Sequence, residues 1–273
     1  GSEMCIRDSM GTFYGNGHVI SNVSISQSGT SGVGIFGVTG NTARILDLGV
    51  ENATVSGKDY TGVIVGNSAG TITNCYVKGN VNVNGNSYVG AITGQATNTI
   101  ASSYTSGNIN INGSGYVGGL AGYINSSVRN SFVQDVNVTS SSGKAGGFTG
   151  VFGSAASYDK ISIKGTINVS GSNCIGGYVG SSDISLSNLN ANVTGTVKAT
   201  SGYAGGIAGS ITSSRTISNC NATMSITGSG GNYVGGIVGY ATNATISQCS
   251  YNGTITATGT SNVGGIAGVA GTI

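Results

Sequence analysis

Apolar and polar residues alternate along this chain in short bursts. In the stretch ending at Gly268 the bursts are Thr245-Ile246-Ser247-Gln248-Cys249, Gly253-Thr254-Ile255-Thr256-Ala257-Thr258 and Asn262-Val263-Gly264-Gly265-Ile266-Ala267-Gly268. Each is rich in Val, Ile or Thr with period two and is bounded by Gly, Asn and Ser, which predicts strands joined by turns. No window carries the helical period of an amphipathic helix.

The bursts recur. Relatives of Tyr233-Val234-Gly235-Gly236-Ile237-Val238-Gly239 end at Gly37, Gly66, Gly94, Gly122, Gly150, Gly180, Gly209, Gly239 and Gly268, so the spacing hardly drifts from one copy to the next. A fixed period of this size predicts a solenoid in which each unit buries its apolar side against its neighbours. Three short strands per unit, with nothing long enough to return as a meander, predict an all-β parallel β-helix of about nine coils. A right-handed coil is expected, because parallel crossovers have that hand. At about 4.8 Å per coil the rod would be on the order of 43 Å long.

Two residues before each final glycine stand Ile35, Ile64, Ile92, Leu120, Phe148, Tyr178, Ile207, Ile237 and Ile266, the expected core column. A second series, Ile20-x-Asn22, Ile45-x-Asp47, Ile72-x-Asn74, Val128-x-Asn130, Leu186-x-Asn188 and Ile217-x-Asn219, predicts polar side chains stacked from coil to coil that satisfy turn groups. The Gly-Gly pairs are expected at corners that need φ > 0 or close backbone approach. No helix follows them, so they do not form a nucleotide loop. Proline is absent from the sequence, as expected where every rung donates its amides to the next.

Composition narrows the function. The 51 glycines would fit a flexible segment, but 38% hydrophobic residues held in register with the repeat argue for a packed rod. With 7% charged residues and a net charge of +2, no basic patch is dense enough for nucleic acid. No apolar run is long enough to span a membrane. Residues 1–10, which include Met4, Cys5, Arg7 and Asp8, differ from the rest and are expected to be a non-native leader or scar, leaving 11–273 as one domain. Cys75, Cys174, Cys220 and Cys249 lack zinc-ligand spacing. Cys75, Cys220 and Cys249 stand at the same distance before Gly94, Gly239 and Gly268, the final glycines of their units. That shared place predicts one small buried core position, with Cys220 and Cys249 stacked on adjacent coils.

Two outward features are candidate binding surfaces. The first is an aromatic column, Tyr60, Tyr88, Tyr116, Tyr203 and Tyr233, interrupted by Lys144 and Cys174. Its rings can stack on each other or on a sugar. The second is the outward row of the strand before it, carrying Asn80/Asn82/Asn84, Asn108/Asn110/Asn112, Asp135/Asn137/Thr139, Thr166/Asn168/Ser170, Thr196/Lys198/Thr200 and Thr254/Thr256/Thr258. This uncharged grid reads either as a solvated side or as a surface for glycan hydroxyls. The candidate ligand-binding residues are Asn80, Asn82, Asn108, Asn110, Asn137, Asn168, Thr254, Thr256, Tyr88 and Tyr116.

The units resemble the GLUG motif, and Gly119-Leu120-Ala121-Gly122 is the nearest copy. The segment Gly11-Thr12-Phe13-Tyr14-Gly15-Asn16-Gly17-His18-Val19-Ile20-Ser21-Asn22 is similar to the one that precedes such repeats. The resemblance implies an extracellular, non-catalytic repeat segment of a bacterial cell-surface protein of adhesin-like or IgA-peptidase type. A glycan or host surface protein is the implied partner, with no cofactor. Copies depart from the pattern at Val33, Val63 and Ala91, and the unit ending at Gly180 lacks a clean Ile-x-Asn strand, so irregular coiling is expected there.

For a carbohydrate-active β-helix enzyme, the runner-up, Asp47 and Glu51 are the candidate carboxylates, but no basic residue or second carboxylate is expected one coil away to complete an acid/base site. His18 is the only histidine, which leaves no triad or His-rich metal site. An ice-binding role would favour uniform Thr ranks, which this mixed row lacks. The chain is expected to continue beyond Ile273, and its uncapped coil edges are candidates for end-to-end self-association.

Overall fold

The structure, a computed structural model, describes residues 9–230 and 233–272. Every regular element among them is a β-strand, and every strand pairing is parallel, from one coil to the next. The chain is a parallel β-solenoid, in which each rung's amides donate to carbonyls one coil away.

One coil shows how the sequence builds the rung. Val65–Ser68, Thr71–Thr73, Tyr76–Asn84 and Tyr88–Gly90 follow each other around the axis. Each pairs with its equivalent in the next coil, as in Val65↔Thr93, Ile72↔Ile100, Val81↔Ile109 and Tyr88↔Tyr116. This corrects the expectation of three strands to four. The glycine-rich burst read as one strand is two, such as Tyr233–Gly235 and Val238–Ser247, with Gly236 and Ile237 turning the chain between them.

The expected core column holds. Ile64, Ile92, Leu120, Phe148, Ile207 and Ile237 are fully buried, and Tyr178 nearly so, while Ile35 and Ile266 in the outermost coils are half-buried. Flanking columns such as Val83, Ile111, Val138, Val169, Val197 and Ile226 complete an interior with no charged side chain among the described residues. Each such aliphatic side chain contributes about 1.5–3 kcal/mol on burial.

The corners differ from expectation. None of the motif's Gly-Gly pairs, from Gly118-Gly119 to Gly264-Gly265, has a positive φ. Their need is close approach: a Cβ on Gly119 would collide with the carbonyl oxygen of Gly147 one coil away. Left-handed backbone belongs instead to the polar residue after the second short strand, with φ between 48 and 57° at Asp47, Asn74, Ser102, Asn130, Lys160, Asn188, Asn219 and Gln248. Asn and Asp tolerate that region because their short polar side chains bond locally. Asn74 Nδ2 donates to Asp47 Oδ1 at 2.6 Å and Asn219 Nδ2 to Asn188 Oδ1 at 2.5 Å, so the expected stack exists in two segments only. Ile20-x-Asn22 is out of series: Ile20 pairs with Val50, and it is Phe13 that pairs with Ile45.

The residue after each left-handed position points inward. Cys75, Cys220 and Cys249 occupy it as free thiols, each donating to the carbonyl two residues back at 3.2 Å. Ser103 and Ser131 use the same position and the same bond, at 2.8 and 2.9 Å. Burial pushes the Cys75 thiol up to about 11.

The unit ending at Gly180 is irregular, as its sequence predicts. Tyr158 stands where its neighbours carry an aliphatic residue, and its Oη accepts from Ser187 N at 2.5 Å and donates to Ser187 O at 3.0 Å. The side chain thereby replaces the backbone ladder, and Leu186–Ser187 joins another sheet. Of the expected leader, residues 1–8 lie outside the described residues, and Ser9 bridges to Thr39 of the first coil.

Candidate functional site

The third strand of each coil places the Asn/Thr row outward, because its Val and Ile neighbours occupy the inward positions of the pleat. Pairing aligns Thr54, Asn82, Asn110, Asn137, Asn168, Thr196 and Ser225 in one column. Asn110 Nδ2 donates to Asn82 Oδ1 at 3.3 Å, Asn137 to Asn110 at 3.0 Å, and Asn168 to Asn137 at 2.9 Å. Thr196 Oγ1 ends the run by donating to Asn168 Oδ1 at 3.1 Å. Parallel columns add Asn108 to Asn80 at 3.3 Å and Asn112 to Asn84 at 3.2 Å. Each amide in the main column keeps a second N–H for an outside acceptor.

A left-handed column at Asn52, Gly79, Gly107, Asp135, Gly165 and Gly195 bends this strand. Asn52 Oδ1 accepts from Asn80 N at 2.9 Å, and Asp135 Oδ1 from Thr166 N at 2.8 Å, capping the bend. A shallow groove of about 360 Å³ runs beside it, lined by Asn108, Asp135, Asn137, Thr166 and Asn168. Register places Thr196 beside Asn168 and Lys198 beside Ser170, one step from the alignment the sequence suggests. Thr256 follows Thr227 in the Lys198 column, whereas Thr254, two residues before it, continues the asparagine column past Ser225, three coils beyond Asn168.

Tyr88 and Tyr116 lie on a different strand from the asparagines and do not share their face. Tyr60 and Tyr88 stack at 4.7 Å with planes 4° apart, and Tyr88 meets Tyr116 edge-on at 5.2 Å. Past the gap, Tyr203 stacks on Tyr233 at 5.4 Å. Sequence reasoning missed the partners of this column: Tyr123 lies 6.1 Å from Tyr88, and Tyr240 lies 4.9 Å from Tyr203. Both directly follow a final glycine, a position that the repeat period would have exposed. A further stack, Tyr76, Tyr104 and Phe132, was also missed, although its members occupy one position in successive repeats.

The candidate carboxylates have structural partners. Contrary to expectation, a basic residue does lie one coil from Glu51: Lys78 is its register partner and pairs with it at 2.9 Å, while Asp47 accepts from Asn74. No cluster of three potential metal ligands occurs among the described residues.

Known proteins resemble parts of this chain. The family model of the GLUG motif matches residues 230–256. Halomucin of Haloquadratum walsbyi (strain DSM 16790 / HBSQ001) is 44% identical over 72 residues, which is 26% of this chain. The chain spans 1% of that protein's length. A crystal structure of a Bacteroides ovatus protein provisionally assigned as an immunoglobulin A1 protease matches 93% of this chain and 68% of its own, at 22% identity and a TM-score of 0.38. Within the matched motif, Tyr233-Val234-Gly235 pairs residue for residue with Tyr203-Ala204-Gly205 on one side and Asn262-Val263-Gly264 on the other. This chain is a β-solenoid that carries the GLUG motif.

Proposed function

We propose that this chain is a non-catalytic repeat segment of an exported surface protein, serving as an adhesive stalk whose Asn/Thr face meets a glycan or a host surface protein. The observation that carries this reading is the asparagine ladder from Asn82 to Asn168, whose amides are held in one orientation by each other and present a regular row of unused N–H donors. The GLUG motif and the partial likeness to halomucin support a surface setting. Asp47 and Glu51 each spend their charge on a structural partner, which supports the absence of catalysis.

A glycan and host-protein array tests the adhesive part: binding should occur and should weaken in an Asn110→Ala/Asn137→Ala variant. A blank array removes adhesion and leaves a spacer. Antibody labelling of intact source cells tests the location, and failure to label them overturns the surface reading. Turnover of a polysaccharide that Glu51→Gln abolishes would overturn the non-catalytic reading.

A further inference from the structure

The two tyrosine columns are interrupted at the same height. Tyr116 is followed by Lys144 and Cys174 before Tyr203, in pairing register. The neighbouring column runs Tyr123, Val151, Ser181, Ser210 and Tyr240. Cys174 in one column and Ser181 and Ser210 in the other open a notch walled by Tyr203 and Tyr240, with Lys144 among its lining residues. Tyr116 and Tyr203 are three coils apart, about 14 Å at the usual strand spacing.

The notch has the chemistry of a site. Its volume is about 560 Å³, within the range of small-molecule pockets. Tyr203 and Tyr240 lie stacked within 16° of parallel, and both line the notch. On the floor, Ser210 and Ser181 hydroxyls meet at 3.1 Å, and Ser210 lies 3.4 Å from Cys174 Sγ. The lining carries one charge, the Lys144 ammonium, which rests over the Tyr116 ring at 5.4 Å and has no carboxylate beside it among the lining residues.

We propose that this notch binds a carboxylated sugar, a uronic or sialic acid residue of a glycan, at a site separate from the Asn/Thr face. The apolar face of a pyranose stacks on tyrosine, its hydroxyls match the serines and Thr212, and its carboxylate pairs with Lys144. A single cation suits a monoanion better than a phosphate, which draws arginine forks or a nest of backbone amides.

The test is saturation-transfer and titration NMR of the full chain with a glucuronic acid–N-acetylglucosamine disaccharide, its methyl ester and free N-acetylneuraminic acid. At least one of the two acids should bind, with the ester about tenfold weaker than the free disaccharide if that is the ligand. Lys144→Met should weaken the acid by about tenfold and Lys144→Arg should restore part of the loss. Added salt should weaken binding. The proposal is overturned if neither acid binds at millimolar concentration, if a disaccharide that binds is matched by its ester, or if Lys144→Met binds as the parent does. Unchanged thermal melts of the two Lys144 variants separate a lost contact from a lost fold. Failure here leaves the surface-segment reading standing, because that reading depends on the array and the cell labelling.

Discussion

Asn168 donates its Nδ2 hydrogen to Asn137 Oδ1 at 2.9 Å, and Asn137 passes the same bond on to Asn110 at 3.0 Å. Asn137 is therefore a half-buried link with a partner on each side. Replacing it with alanine removes two bonds and should lower stability by about 1–2 kcal/mol. Urea denaturation reads this directly. Asn112→Ala, which removes one exposed bond in the neighbouring column, should cost less. Equal losses would mean that the ladder does not act as a connected unit.

Thr105 stands in a core column between Val77 and Val133, fully buried, and its Oγ1 has no hydrogen-bond partner. Valine has nearly the same shape without the hydroxyl. Thr105→Val should raise the stability by about 1 kcal/mol, because it relieves the desolvation of an unpaired group. A fall in the denaturation midpoint would show that the hydroxyl is satisfied in solution.

Lys160 holds a left-handed φ of 48° at a position where the flanking coils place Asn130 and Asn188. That conformation costs an ordinary residue roughly 1–2 kcal/mol, and asparagine less. Lys160→Asn should therefore stabilise the irregular coil, by about 1 kcal/mol at most. The reverse change, Asn130→Val, should destabilise by at least as much, since β-branched residues fit this region worst.

Tyr178 is 1% exposed, and its Oη accepts the Ile163 N–H at 3.3 Å. Burial pushes its hydroxyl up to about 12 from an ordinary value of 10.0. The folded state thus keeps a proton that the unfolded chain loses, so this contribution is full below pH 10 and declines as pH rises toward 12. The total is about 2–3 kcal/mol. Cys75, raised to about 11, adds a slope of the same sign. Unfolding free energies measured from neutral pH to the alkaline limit should fall, and Tyr178→Phe should flatten the fall. At neutral pH the same variant leaves the Ile163 amide unpaired and should cost about 1–2 kcal/mol.

The sequence by itself determined the repeat, the parallel coil and the inward column from Ile35 to Ile266. A strand's side chains alternate with period two, and a nearly constant unit length forces equivalent residues to stack. It also exposed the Asn82, Asn110, Asn137 and Asn168 row and the gap at Lys144 and Cys174, because each follows from the period alone.

Only the tertiary structure decided what lies between rungs and across corners. Local bends absorb residues without leaving a trace in the period, so Thr196 moved beside Asn168 and Ile20 left the series headed by Ile45. The left-handed turns went to Asn, Lys and Gln instead of the paired glycines, whose role is to let neighbouring backbones approach. The notch at Lys144 exists because two strands that are distinct in one unit converge at a corner. Convergence around the axis is a matter of coil shape, which no alternation of apolar and polar residues encodes.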